Sequence, residues 1–362
     1  MSNILLIDDD AGQVHELKDA LDEAFRQIPT TVELWVPGSA DRPEDIFSRL
    51  VTPETAMVVT DYDLTGNGKT GFFGSAIVDW CKAKFIPVGD YSRGGALHQL
   101  PKETDQYEIR IPSNSREAAV YIRQVHDGFQ FLRLAVEERW DTLSAKRSPA
   151  AILAEILDRP IEETRFALYG TKLGSANAAL MSEISRVEQR GDAVQEMKRF
   201  FPYVLGHLLL NVILRFPGPI LHLDALAAFL AIARDEIPTV VETFSDARYR
   251  GPFGGLQPYY WTSGVEQILS SARDALAQED EAETIGELNR LTLQRMYNKE
   301  FRLHGCNRCG GRQGGLFCPF TKKTICQRAD CSVPSNAWIP QGARLCRIEK
   351  DFYDEWAPLL GF

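Results

Sequence analysis

Apolar positions in the first third of the chain follow two rhythms. Ile4 to Ile7 form an unbroken apolar run that stops at Asp8, Asp9 and Asp10, after which Val14, Leu17, Leu21 and Phe25 recur at helical spacing. That pattern predicts a buried strand followed by an amphipathic helix. Val32, Leu34 and Val36 alternate as a second strand, residues 43–50 suit a short helix, and residues 56–60 make a third strand ending on Asp61. A helix over 72–84, a fourth strand over 85–88 and a fifth over 107–111 complete the series. Short strands separated by helices build a doubly wound parallel sheet of the α/β class. In such sheets the ligand site lies beyond the carboxyl ends of the strands.

From Ser113 onward the period is helical. Ser115 is the expected cap of a long connector helix over about 116–143, and further helical segments are expected near 149–158, 160–169, 174–189, 192–215 with a break at Pro202, 224–234 and 263–301. The segments read as an α/β domain over 1–125, an all-helical domain over 126–295 and a cysteine-rich module over 296–362.

Composition sharpens this division. The 362 residues are 44% hydrophobic and 25% charged, the proportions of a folded globular protein rather than of a disordered or collagen-like one. The longest apolar stretch, 204–216, contains His207, Asn211 and Arg215 and is shorter than the roughly 20 residues a bilayer requires. The start, MSNILLIDDD, lacks the basic region of a secretory signal. No membrane partner and a cytoplasmic location are therefore expected. Net charge is −10, yet residues 295–350 hold eleven Lys/Arg against three acids, a local +8. A basic tail on an acidic body implies a separate module with its own partner.

The strand ends carry the first chemistry. Asp8 and Asp9 follow strand one, Asp61 follows strand three, and Ser92 lies at or just beyond the end of strand four. Carboxylates converging on one rim repel each other, and a hard cation such as Mg²⁺ would relieve that repulsion. A simpler reading makes Asp8 to Asp10 caps of the next helix. Ile7-Asp8-Asp9, Thr60-Asp61-Tyr62-Asp63-Leu64-Thr65-Gly66 and Pro87-Val88 leading to Ser92 together resemble the receiver domain of bacterial response regulators. The resemblance covers about residues 1–125. It implies a five-stranded flavodoxin-like fold, Asp61 as phosphoacceptor, Asp8, Asp9 and Asp61 at Mg²⁺, Ser92 as the switch hydroxyl and a sensor kinase or other protein as partner. The sequence departs from that family at Thr65, where Pro is usual, and at Ile111, where a Lys precedes the Pro that follows strand five. Arg110 and Lys102 are the basic residues nearest that position.

The pair Asp61 and Asp63 also resembles the D-x-D of haloacid-dehalogenase-type phosphatases and of Toprim nucleases, both Mg²⁺-dependent. Here the pair follows the third strand rather than the first, and the first strand is followed by Asp rather than the Glu of Toprim domains. The glycines at 66, 68 and 71 with Lys69 and Thr70 lack P-loop spacing and read as an active-site loop. In the middle segment, His207 and His222 read as core or cap residues. The stretch Arg248 to Phe253 with Tyr259-Tyr260-Trp261 reads as a packed loop, the alternative being a surface that stacks on bases or clasps an acidic peptide.

Six of the seven cysteines lie between Cys306 and Cys346. Such clustering in a chain without a secretory signal argues for metal rather than disulfides. A C-x-x-C knuckle at Cys306 and Cys309, a hairpin around Lys322 and Lys323, and a second pair at Cys326 and Cys331 resemble treble-clef zinc modules, which implies those four thiolates as Zn²⁺ ligands. Cys318 is expected to face Cys326 across the hairpin, so that it or Cys346 could substitute; two zinc ions or an iron–sulfur cluster are the alternatives. The expectation as a whole is a signalling protein with a receiver-like domain, a helical transmission domain and a metal-held tail that binds a protein or a nucleic acid. An Mg²⁺-dependent phosphatase or nuclease, or a scaffold with a degenerate receiver, are the competing classes.

Overall fold

The structure is a computed structural model that describes residues 2–38, 43–61, 64, 74–91, 108–146, 148–170, 193–276, 282–311, 315–334 and 338–360. The chain forms two compact units. One comprises residues 1–98, 102–146 and 184–211, and the other comprises 99–101, 147–183 and 212–362. No helix among the described residues is long and apolar enough to cross a membrane.

The first unit is built on β1 (Ser2–Ile7), α1 (Ala11–Ala24), β2 (Thr30–Trp35), α2 (Pro43–Leu50), β3 (Thr55–Thr60), α3 (Gly74–Ala83), β4 (Val88–Asp90), β5 (Glu108–Arg110) and α4 (Ser115–Glu138). The five strands are parallel, in the order β2-β1-β3-β4-β5. Ile4 to Ile7 are at most 1% exposed, as expected of a parallel strand covered on both faces. Leu5, Ile7, Val58 and Val88 join Ile77, Val78 and Cys81 of α3 in one core cluster.

Boundaries differ from the sequence reading in several places, and the connector helix ends at Glu138 rather than near 143. The fourth strand begins at Val88 rather than 85, because Phe85 turns the chain with φ +57° and Pro87 has no N–H to give to a ladder. The cap of α4 is Asn114, whose side chain accepts from the N–H groups of Arg116 and Glu117; Ser115 is buried instead and lies 3.2 Å from the Tyr91 hydroxyl.

Helix Ala193–His207 belongs to the same unit and runs through Pro202 without the expected break. Burial of Phe200, Phe201, Tyr203 and Val204 offsets the roughly 3 kcal/mol cost of an interior proline. This helix meets α4 at Gly206, where an added Cβ would stand 2.1 Å from Phe129 Cε1. His207 packs edge-on against Phe129 and Tyr203 as a core residue, and burial pushes its imidazole down to about 3.

The second unit contains helices Pro149–Ile156, Glu163–Gly170, Leu223–Leu230, Thr262–Ala275 and Ile285–Tyr297. The expected single segment over 263–301 is two helices, the second capped by the Thr284 hydroxyl, which accepts the Glu287 N–H. The middle of the chain is not wholly helical: Ile220–His222 pairs antiparallel with Tyr259–Trp261. The run Tyr259-Tyr260-Trp261 favours the strand because bulky aromatic side chains fit a pleated surface. Tyr249, Phe253, Tyr259, Tyr260 and Trp261 are all buried while Arg248 and Arg250 are exposed, so the aromatic half of that stretch is core. The helix expected near 174–189 lies outside the described residues. Residues 212–295 and the cysteine-rich segment belong to this one unit.

Candidate metal centres

Two clusters of ligand-type side chains are assembled, one in each unit. In the first, β1 and β3 are neighbours with Ile7 paired to Thr60, and the Asp61 N–H donates to Ile7 O at 3.1 Å. This register carries Asp8, Asp9 and Asp61 off adjacent strand ends, and their carboxylate oxygens lie within 4.8 Å of one another. Asp10 takes the capping role: its side chain accepts from the N–H groups of Gly12 and Gln13. The aspartate triplet is therefore divided, with one residue closing the helix and two facing the third carboxylate.

Asp8 is 2% exposed. Its Oδ1 accepts the Asp10 N–H at 2.8 Å, and its buried Oδ2 has no hydrogen-bond partner. Burial, followed by the negative charges of Asp61 and Asp9, pushes its carboxyl up to about 6 against the opposing pull of the Asp10 N–H. A buried carboxylate oxygen without a donor beside two more carboxylates is the chemistry that a hard cation satisfies.

The rest of the rim departs from what the receiver resemblance implies. Thr60, Asp90 and Arg110 form one row across β3, β4 and β5. The Tyr91 N–H donates to Thr60 O and the Ile111 N–H to Asp90 O, which sets Tyr91 and then Ile111 at the next level, that of Asp61. Side chains alternate along a strand, so Arg110 projects from the sheet face opposite to Ile111. The position level with Asp61 on the fifth strand, two strands from β3, is apolar, and Ile111 is 7% exposed. The Tyr91 hydroxyl turns towards Ser113 O and Ser115 Oγ. Asp90 adds a carboxylate at the end of β4 that reading the sequence did not single out; its only signal was its place after Pro87-Val88-Gly89. Ser92, Tyr62, Asp63, Lys102, Tyr107 and the loop containing Gly66, Gly68, Lys69, Thr70 and Gly71 lie outside the described residues.

The second cluster is made by thiols. Cys306, Cys309, Cys326 and Cys331 have sulfur atoms within 4.8 Å of one another, and the Cys309 and Cys326 sulfurs are 3.9 Å apart. Ligands about 2.3 Å from a tetrahedral metal stand about 3.8 Å from each other. The geometry fits the group.

The supports are local. Gly310, at φ +63°, closes the knuckle, with its N–H donating to Cys306 O and the Cys306 N–H donating to Gly311 O. The Asn307 N–H donates to Thr324 O and the Thr324 hydroxyl to Gly305 O, which ties the knuckle to the hairpin. Beyond the hairpin, Ser332 Oγ donates to Cys326 O and receives Arg347 Nε. Burial raises the Cys306 thiol, but hydrogen bonds from the N–H groups of Cys309 and Arg308 together with those of the Cys309 and Cys326 thiols bring the group down to about 7; burial and the neighbouring thiols push Cys331 up to about 12. Four thiols so close cannot all ionise without a cation among them.

Cys318 and Cys346 stand apart from this cluster. Leu316 pairs with Ile325 and Phe317 with Thr324, and the Cys318 N–H donates to Lys323 O. Cys318 therefore faces Lys323 and not Cys326: Lys322, at φ +59°, closes a tight turn that sets the register three residues from the expected one. Cys318 is fully buried, and burial holds the Cys346 thiol well above its ordinary range.

Five of the tail's eleven basic residues pair with acids of its own unit. Lys299 pairs with Glu236, Arg302 with Asp235 and Glu236, Arg308 with Asp351, Lys323 with Glu349 and Lys350 with Asp354. Asp351, Asp354 and Glu355, just past the basic stretch, lower its net charge from +8 to +5. Comparison with family models, with curated proteins and with solved structures found no match to this chain.

Proposed function

We propose that the protein is a response-regulator-like signalling protein, in which Asp61 accepts a phosphoryl group from a sensor kinase or another donor while Asp8, Asp9 and Asp61 hold Mg²⁺. The observation that carries this reading is the convergence of three carboxylates within 4.8 Å at the carboxyl ends of β1 and β3, where the order β2-β1-β3-β4-β5 reverses direction, the position at which doubly wound sheets bind ligands. Mg²⁺ would neutralise the cluster and the incoming phosphoryl oxygens, and the Asp61 carboxylate would attack phosphorus in line with the leaving group. The four cysteines would hold Zn²⁺ as a structural centre of the output unit, with Cys318 and Cys346 as core thiols. Because five of the tail's basic residues are paired with acids of their own unit, a protein is the preferred output partner over a nucleic acid.

A second reading is favoured by Ile111. With an apolar residue level with Asp61 on β5, a phosphoryl group there would lack the cation the family places on that strand, and the domain would serve as a degenerate receiver that docks a partner. Intact-mass analysis after incubation with acetyl phosphate and Mg²⁺ separates these readings. A stable phosphoryl adduct absent from Asp61→Asn is the expected result. Release of phosphate without an adduct would indicate an Mg²⁺-dependent phosphatase using Asp61 and Asp63, and no reaction would leave the docking role.

A further inference from the structure

The second unit encloses a half-open cavity of about 860 Å³, within the size range of small-molecule sites. Its wall is made by the start of helix Ile285–Tyr297, the end of helix Leu223–Leu230, and the Gly315–Leu316 and Arg344–Leu345 segments of the cysteine-rich region. Neither metal cluster accounts for it.

The charges on this wall are unequally committed. Arg165 and Glu266 pair with each other at 3.3 Å, the Glu287 carboxylate accepts the Glu283 N–H at 3.1 Å, and the Glu283 side chain is solvent-exposed. Arg290 and Arg344 face the same cavity without a carboxylate partner among the described residues. The Arg290 Nε is buried and makes no hydrogen bond, and only its Nη1 is engaged, by Gln294 Oε1 at 3.1 Å. An unsatisfied buried donor on a charged group is costly.

His304 adds a ring nitrogen. It is 3% exposed and lines the cavity. Its Nδ1 accepts the Gly315 N–H at 2.9 Å, so in the neutral ring the proton is on Nε2, which has no protein partner among the described residues. Around these polar groups the lining is apolar, and two large aliphatic side chains remain exposed, Ile285 at 71% and Leu303 at 39%.

We propose that this cavity binds a small organic anion with an apolar body, a carboxylate or phosphate monoester carried on an aromatic or acyl group. The anionic head sits against the Arg290 and Arg344 guanidiniums, which suit planar, multidentate recognition of oxyanions. The apolar body covers Ile285 and Leu303. Because the wall includes both the helical segments and the hairpin of the cysteine-rich region, an occupied cavity would tie the two together.

The test is a fluorescence titration of the zinc-loaded full chain with anilinonaphthalene sulfonate, an anionic probe with an apolar body, followed by displacement. Naphthoate and naphthyl phosphate are expected to displace the probe, the better of them identifying the head group, whereas the uncharged isostere naphthylmethanol is expected to fail. Arg290→Gln/Arg344→Gln, checked for folding by near-ultraviolet circular dichroism, is expected to weaken naphthoate by at least about tenfold. Equal displacement by naphthylmethanol, unchanged affinity in the folded double variant, or no displaceable probe at about 1 mM would each overturn the proposal. The first and third of these readouts use the wild type alone, so they decide the matter even if the double variant does not fold.

Discussion

Asp8, Asp9 and Asp61 stand at the ends of strands whose bodies are already packed: Leu5, Ile7, Val58 and Val88 are at most 1% exposed beneath them. Cys306, Cys326 and Cys331 instead form a small buried cluster of their own, separate from the group of Leu316, Cys318 and Ile325 and from the packed rings of Phe320, Trp338, Phe352 and Trp356. In the first unit the fold positions the ligands and bears their repulsion; at the knuckle of the cysteine-rich segment the ligand thiols are themselves the packed cluster. A cation should therefore be optional for the structure of the rim and obligatory for that of the thiol centre.

The largest effect should come from removing the metal from the thiols. Chelation, or Cys326→Ser, is expected to remove on the order of 10 kcal/mol of folding free energy from the cysteine-rich segment while hydrogen exchange in β1 to β5 stays unchanged. Elemental analysis should find one equivalent of zinc; a metal-free chain with a protected hairpin at 316–325 would break the comparison. Next is Gly206→Ala, which tests whether the first unit stands on packing alone. A methyl group 2.1 Å from Phe129 Cε1 should cost about 2 kcal/mol in urea unfolding despite the better helix propensity of alanine.

Asp8→Asn sharpens the contrast in sign. The amide oxygen keeps the acceptor for the Asp10 N–H and removes a buried charge, so the first unit should gain about 1 kcal/mol while Mg²⁺ affinity falls by at least about tenfold. The corresponding change at a thiol should lower stability and metal affinity together.

pH gives a related test. The Asp8 carboxyl is raised to about 6 from 3.8; between these values the folded state binds the extra proton, so its cost to folding is absent below the lower value and grows as pH rises to the higher one. Mg²⁺ competes with that proton, so calorimetric affinity for Mg²⁺ should decline as pH drops below 6. The smallest effect is expected at the ion pairs of the tail, where Arg308→Ala should change thermal stability by less than about 1 kcal/mol because the Asp351 partner is solvent-exposed.

Local chemistry was legible in the sequence. The apolar run before Asp8, the run before Asp61 and the alternating elements between them specify a parallel sheet with acids at its carboxyl end, because burial on both faces demands unbroken apolar strands. The C-x-x-C knuckle and the second pair at Cys326 and Cys331 specify a thiol cluster, since spacing along a short loop limits where sulfurs can go. Long-range packing decided the remainder. Register across three strands placed Ile111, not Arg110, level with Asp61. The left-handed turn at Lys322 took Cys318 away from Cys326. Aromatic residues at 259–261 found a strand partner about 40 residues away, and acids at 235, 236, 349, 351 and 354 met the tail's cations. The cavity beside Arg290 and His304 exists only because segments distant in sequence enclose it. Periodicity and spacing record what a residue does to its near neighbours, whereas register, ion pairing and enclosed volume depend on which distant surfaces bury each other.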